Sequence, residues 1–268
     1  MFSAMRVVVG TTLLAGLLFA VACGSTPIAG RAQQAKSRSS GARLFARWPP
    51  VILWAWQRPE DLSFISPQRV GVSYLVKTVQ LRGDAVSIQP NLNGLKVPAG
   101  TWVMACARIE TDPGSPPSLS AQQAREAAIG LAPLADFPGA KAVQIDFDAT
   151  ASQRDFYRNL LNELRHRLPR SFPLSITALG SWCMGDDWIS HFPIDEAVPM
   201  LFRMGPDRAS ILLRLEAGDD FEEPLCRQSS GISTDELVPR LPPGRRLYIF
   251  NPRAWTKATW DKVVIIKE

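Results

Sequence analysis

Val143-Gln144-Ile145-Asp146-Phe147-Asp148 alternates apolar and polar side chains with a period of two. That is the signature of a β-strand with Val143, Ile145 and Phe147 on one face and Gln144, Asp146 and Asp148 on the other. Same-face neighbours on a strand lie about 6.5–7 Å apart at Cα. Carboxylates are rarely buried unless something pairs with them or uses them. Two in line on an otherwise apolar strand therefore read either as a reactive pair at the mouth of a barrel, or as acids satisfied by nearby arginines or backbone N–H groups.

Outward from this strand, strands and helices alternate. Strands are predicted at 51–56, 70–76, 101–107, 142–147, 174–178, 197–202, 229–233 and 246–250. The helix pattern is clearest at 153–168, where Phe156, Tyr157, Leu160, Leu161, Leu164 and Leu168 form one stripe behind Ser152 as a candidate N-cap. Ser120 and Gln123 look like a capping box opening a helix over 121–131, and Pro206-Asp207 opens another over 206–217. Shorter helices are expected at 186–191, 234–241 and 256–264. Segment 77–100 carries Leu81-Arg82-Gly83-Asp84 and Asn91-Leu92-Asn93-Gly94, which read as hairpin strands. Eight strands interleaved with helices over 51–268 imply an α/β fold, a single-domain (β/α)8 barrel of the triosephosphate-isomerase type. No phosphate loop or dinucleotide fingerprint is present, and no cofactor is expected.

The N-terminal 50 residues have a different character. Arg6 precedes an uncharged run from Val7 to Ala22, which reads as a signal peptide over 1–22. Ala20-Val21-Ala22-Cys23 resembles a bacterial lipobox, which makes Cys23 a lipidation site; plain cleavage and an uncleaved anchor are the alternatives. Residue 24 is Gly, without the acid of inner-membrane retention, and resembles outer-membrane sorting. Residues 23–50 are rich in Gly, Ser, Ala and Gln, carry five cations and no acid, and read as a flexible tether. The whole chain is +5, with 30 basic and 25 acidic residues; Arg6 and the five tether cations remove six bases, so 51–268 holds 24 against 25, or −1. A near-neutral domain has no charge basis for binding nucleic acid. The basic tail suits an anionic lipid surface or simple solvation.

Of the remaining cysteines, Cys106 sits in an apolar strand and reads as a buried thiol, while Cys183 and Cys226 fall in polar loops of a chain bound for an oxidising compartment and are expected to pair. A barrel presents its chemistry at the C-terminal strand ends. Those positions carry Trp56, then Arg108 and Glu110, then Asp146 and Asp148, then Trp182, Arg203, and finally Asn251 and Trp255. Acids, arginines and aromatic rings concentrated on one rim suit sugars, which offer an apolar face and a polar edge. Asp148, Asp146 and Glu110 are the candidate catalytic groups; Arg108, Arg203, Trp182, Trp255, Trp56 and Asn251 are candidate substrate contacts. Asp219-Asp220-Phe221-Glu222-Glu223 reads as a solvated loop, with calcium a minor alternative. Neither histidine has a partner, so no metal site is expected.

Asp146-Phe147-Asp148, Ser175-Ile176-Thr177-Ala178-Leu179-Gly180-Ser181-Trp182-Cys183 and the block from Asp195 to Gly205 resemble a bacterial family of envelope proteins, domain-of-unknown-function family 3142. The resemblance covers roughly 51–255 and implies a barrel and an envelope location. More remotely, the pattern is similar to chitinase-type glycoside hydrolase barrels, which carry D-x-D-x-E on the fourth strand and M-x-Y-D on the sixth. Aligning Asp146 and Asp148 with the two aspartates puts Thr150 where the acid belongs; sliding by two places Gln144, Asp146 and Asp148 there, with Asp148 as a shorter acid. On the sixth strand Met200 matches, but the tyrosine becomes Phe202 and the aspartate Arg203, the groups that would position an acetamide. The expectation is a monomeric envelope lipoprotein whose barrel hydrolyses or binds a carbohydrate, or a non-catalytic lipoprotein binding glycan or protein.

Overall fold

The computed structural model describes residues 48–237 and 240–265. The expected signal peptide, the lipidation candidate Cys23 and the expected tether up to residue 47 lie outside the described residues. Trp48, the first described residue, is buried with its ring 5.3 Å from Trp102, so the folded domain takes in the end of the segment read as tether.

Eight strands form the barrel wall: β1 (Val51–Ala55), β3 (Val70–Arg82), β6 (Val103–Thr111), β7 (Ala140–Asp146), β8 (Leu174–Leu179), β9 (Glu196–Met200), β10 (Ser229–Ser233) and β11 (Arg246–Phe250). Each is parallel to its neighbours in chain order. Pairing of β1 with both β3 and β11 closes the ring. The (β/α)8 barrel expected from the alternation is the observed fold, with a lighter helical jacket than eight full repeats would supply. Beyond the rim, β3 continues into an antiparallel hairpin with β4 (Ala85–Pro90), turning at Gly83 with φ +47°, a conformation glycine adopts without Cβ strain. Two short strands, β2 (Glu60–Asp61) and β5 (Leu95–Lys96), pair beside it.

The helices are α1 (Ala121–Leu131), α2 (Arg154–Arg167), α3 (Gly180–Cys183), α4 (Arg208–Glu216) and α5 (Lys257–Ile265). Ser120 caps α1 by accepting the Gln123 N–H. Ahead of α2 the cap is Thr150 in a reciprocal box with Gln153, not Ser152. The apolar stripe of α2 packs on the outward face of β7, where Phe147 meets Tyr157 edge-on at 5.2 Å. The helix expected at 186–191 is absent: Asp186 turns back to accept the Trp188 N–H and an Arg154 guanidinium, a local bond that competes with helix formation. Among the described residues of 234–241 there is likewise no helix; Pro242 and Pro243 follow the segment, and its acids Asp235 and Glu236 bond to Arg203 and Arg208. The outer faces of β10 and β11 thus border a groove of about 970 Å³ floored by Ile232, Leu247 and Ile249.

Inside the ring, one hydrogen-bonded chain ties six strands together. Gln144 Oε1 accepts from Trp54 Nε1 and from Ser73 Oγ, both at 2.8 Å, and Gln144 Nε2 donates to Ser175 Oγ at 3.2 Å. Ser175 donates to Glu196, which also accepts from the Tyr248 hydroxyl at 2.8 Å and pairs with Arg246 at 2.7 Å. All these groups are buried or nearly so, and an interior polar group left unpaired would cost about 1–3 kcal/mol. Gly231 provides the room: a Cβ there would stand 2.9 Å from the Trp54 ring.

Cys183, at the end of α3, is disulfide-bonded to Cys226 with 5.9 Å between their Cα atoms, and Cys106 is a free, buried thiol, both as expected. The bridge ties the β8–β9 connection to the approach to β10. Its removal by Cys183→Ala/Cys226→Ala is expected to cost about 2–4 kcal/mol, read as a lower urea midpoint that reductant no longer shifts; an unchanged midpoint would refute a stabilising role.

Candidate active site

The inward parity of β7 is Ala142, Gln144, Asp146, and the strand ends there, so Asp148 stands one step beyond the rim. Asp146 and Asp148 open on a cleft of about 380 Å³ in the barrel mouth. Continuing round the ring, the cleft is walled by Arg108 from β6, Thr177 and Leu179 from β8, Met200, Phe202 and Arg203 from β9 and just after it, Phe250 from β11, and Trp54 and Trp56 from the first strand and its end. Acids and rings occupy opposite sides.

Asp146 is only 6% exposed, and its Oδ1 accepts from the Thr177 hydroxyl at 2.7 Å. Its other oxygen is 3.7 Å from Arg108 Nη1. Burial, and then the neighbouring Asp148 charge, push the Asp146 carboxyl up to about 6, against the pull of Thr177 and Arg108. Asp148 reaches solvent, yet the cleft walls limit its hydration and raise its carboxyl too, with Arg108 opposing. Glu110 is paired with Arg108 at 2.9 Å and lies in an adjoining recess of about 280 Å³. That recess shares Arg108 and Asp148 with the main cleft, so Asp148 stands at the junction of an aromatic lobe and a polar one.

Opposite the acids, Phe202 and Phe250 stack with centroids 5.7 Å apart and planes 4° from parallel, and Trp56 meets Phe250 edge-on at 6.4 Å. These partly exposed rings form the wall. The Arg203 guanidinium caps it, 5.2 Å from the Phe250 centroid and 5.8 Å from that of Phe202. Arg203 also has φ +50°. A non-glycine residue held there costs about 1 kcal/mol or more, which an exposed ion pair such as Arg203–Asp235 at 3.1 Å, worth about 0–1 kcal/mol, does not reliably offset.

The structure thus brings together Asp146, Asp148, Arg108, Arg203 and Trp56, with Glu110 next door. It does not bring Trp182, Trp255 or Asn251 to the cleft. Trp182 is buried under Trp188, ring to ring at 4.7 Å, and offers no face to a ligand. Trp255 is buried as a latch: its N–H donates to Glu60 and its indole Nε1 to the Trp54 carbonyl. Asn251 accepts from Thr234 at 2.6 Å, donates to the Ala254 carbonyl, and borders the outer groove. The acidic run is also spoken for, with Asp219 and Glu222 paired to Arg214 and Asp220 to Arg245. Among the described residues no group of three or more His, Cys, Asp or Glu is placed to hold a metal ion. Phe202, Phe250 and Thr177 line the cleft without being among the expected contacts; their sequence signal is parity, since Met200/Phe202, Tyr248/Phe250 and Ser175/Thr177 are spaced by two.

No family model matches the chain, so the resemblance to family 3142 is not borne out by that comparison, and no curated protein matches it. Among solved structures it is similar to an endo-β-N-acetylglucosaminidase from Cordyceps militaris, at 11% identity and a TM-score of 0.45 over 87% of this chain and 94% of that one. It is also similar to a GH18 chitinase from Pseudoalteromonas aurantia, at 12% identity and a TM-score of 0.44 over 81% of this chain and 99% of that one. Both likenesses are remote; the barrel itself is defined by the strand pairings above.

Asp146 has a folded pKa raised from 3.8 to about 6, so the folded chain holds this proton more tightly than the unfolded chain does. Stability from this group is therefore greatest below about pH 4 and falls as pH rises through 6, by about 3 kcal/mol in all. Asp146→Asn, whose amide oxygen can still accept from Thr177, is expected to raise the denaturant midpoint at pH 7.5 and to leave it nearly unchanged at pH 4. Equal differences at the two pH values would contradict the assignment.

Proposed function

We propose that this chain is an envelope lipoprotein, anchored through Cys23, whose barrel binds a glycan in the cleft and hydrolyses it at Asp148. The observation that carries this reading is the position of Asp148 where the aromatic and polar lobes meet, beside a second carboxylate of raised pKa. A sugar ring lying on Phe202, Phe250 and Trp56 presents one glycosidic bond to Asp148 and extends the next residue toward Glu110 and Thr111.

The step follows from the groups present. The Asp148 carboxyl donates its proton to the glycosidic oxygen as the C1–O bond breaks, the electron pair leaving with the alcohol. Glu110 is the second carboxylate, stabilising the developing positive charge at C1 or activating the water that completes hydrolysis. Arg108, lying between Glu110 and Asp146, keeps the two in register with the substrate. Asp146, buried against Thr177 and raised by the Asp148 charge, keeps its own proton and so spares the cleft floor a second negative charge. The substitutions at Phe202 and Arg203 remove the groups that would grip an acetamide, so 2-acetamido sugars are not the favoured substrates.

A second reading is favoured by the same Arg108 contacts: an ion-pair network that shapes a grip on glycan without chemistry. The two separate on one experiment, the release of reducing ends from oligosaccharide libraries. Asp148→Asn is expected to lower turnover at least about 100-fold while glycan binding survives; binding in both proteins with no product from either would favour the non-catalytic reading.

Because the acid must be protonated, turnover is expected to fall as pH rises through the raised pKa of Asp148. Burial raises the Asp148 carboxyl while the Arg108 charge opposes it, so Arg108→Gln should move that limb to higher pH; a limb that stays in place would exclude Arg108 as the opposing charge. The anchor is tested separately: palmitate labelling of the full chain expressed in a bacterium should disappear in Cys23→Ala, and labelling that persists would rule the site out.

A further inference from the structure

Resting on the glycan reading above, we infer that the sugar bound in the aromatic lobe is acidic, with its anionic group read by Arg203. Two features of that residue converge. Its guanidinium lies over the stacked Phe202–Phe250 wall, at the edge of the surface on which a ring would rest. Its backbone sits in the left-handed region, held there by the N–H bond to Glu236 at 3.0 Å, a cost that the exposed pair with Asp235 does not recover. Glycine would occupy the position more easily, so what arginine contributes is its side chain.

The distribution of charge in the cleft gives the same direction. Asp146 and Asp148 sit on the β7 side, where an anionic substrate group would be repelled. Arg108 on that side is already engaged by Glu110 and Asp146. Arg203 stands beside the aromatic wall, two strands round the ring from Asp146, half exposed, and its side-chain bond to Asp235 uses Nη2 alone. The rest of the fork is available to a carboxylate or sulfate, and its planar donors match either in a two-point contact. A sugar placed with its anionic substituent at Arg203 sets that charge on a cation while its glycosidic bond lies over Asp148. Reversal would set like charges together, so Arg203 also fixes the direction in which the chain of sugars enters.

The test is calorimetric titration of the full chain carrying Asp148→Asn, which prevents turnover, with oligosaccharides of one linkage in neutral, uronate-containing, sulfated and 2-acetamido forms. An acidic form should bind at least tenfold more tightly than the neutral one at low salt, and this ratio should shrink as salt is raised. The ratio should collapse to about one in Arg203→Gly and recover only in part in Arg203→Lys, which keeps the charge and loses the fork. Arg203→Gly should also unfold at a higher denaturant concentration, since it relieves the backbone; a lower midpoint would make Arg203 a structural residue and overturn the inference. Equal binding of neutral and acidic forms, or a preference unchanged in Arg203→Gly, overturns it while leaving glycan binding intact. Failure of every oligosaccharide to bind overturns the glycan reading along with it. Uronate against sulfate preference identifies which anion is read.

Discussion

The Gln144 carboxamide holds the barrel in the one register that makes a site possible. It bonds Trp54 of β1, Ser73 of β3 and Ser175 of β8, and through Ser175 reaches Glu196, Tyr248 and Arg246 on β9 and β11. A strand that slips by one residue exchanges its two faces. For β7 that slip would drive Val143 and Ile145 inward, strip Trp54 and Ser73 of their partner, and turn Gln144 and Asp146 out of the interior. The penalty for several unpaired interior groups, about 1–3 kcal/mol each, is a large share of the typical margin of a folded domain. With Gln144 pinned, Asp146 must be the next inward residue and Asp148 the one at the rim.

The site sits above this satisfied layer and is costly where the layer is not. Asp146 is buried beside a like charge with one hydroxyl and a distant guanidinium to offset it. Arg203 spends backbone energy to stay over its aromatic wall. A fold with a lighter helical jacket tolerates these costs partly because it is cross-linked: the Cys183–Cys226 bridge secures the β8–β9 connection, and the Trp255–Glu60 and Trp255–Trp54 bonds tie the last connection to the first strand.

Rings at strand ends divided by a criterion that composition does not contain. Trp56 and Trp255 both follow strands, and both looked like platforms. Trp56 stands in the cleft, while Trp255 has its indole N–H claimed by a carbonyl 201 positions earlier in the chain. Trp182 was drawn under Trp188 by a loop whose own shape depends on Asp186 abandoning a helix. Conversely, Phe202 and Phe250, ordinary apolar strand residues when read singly, become a stacked wall only because β9 and β11 lie one strand apart in the closed ring.

Local pattern alone therefore determined the strand-and-helix alternation, the inward parity of Gln144, Asp146 and Asp148, the near-neutral domain and the pairing partners among the cysteines, since each rests on spacing or composition within a few residues. The tertiary structure alone decided which aromatic rings face the cleft, which cations remain available after ion pairing, and that Arg203 adopts a left-handed backbone. Those outcomes depend on contacts between segments 30 to 200 residues apart, where burial and charge neutralisation are properties of the closed barrel and not of any stretch of chain.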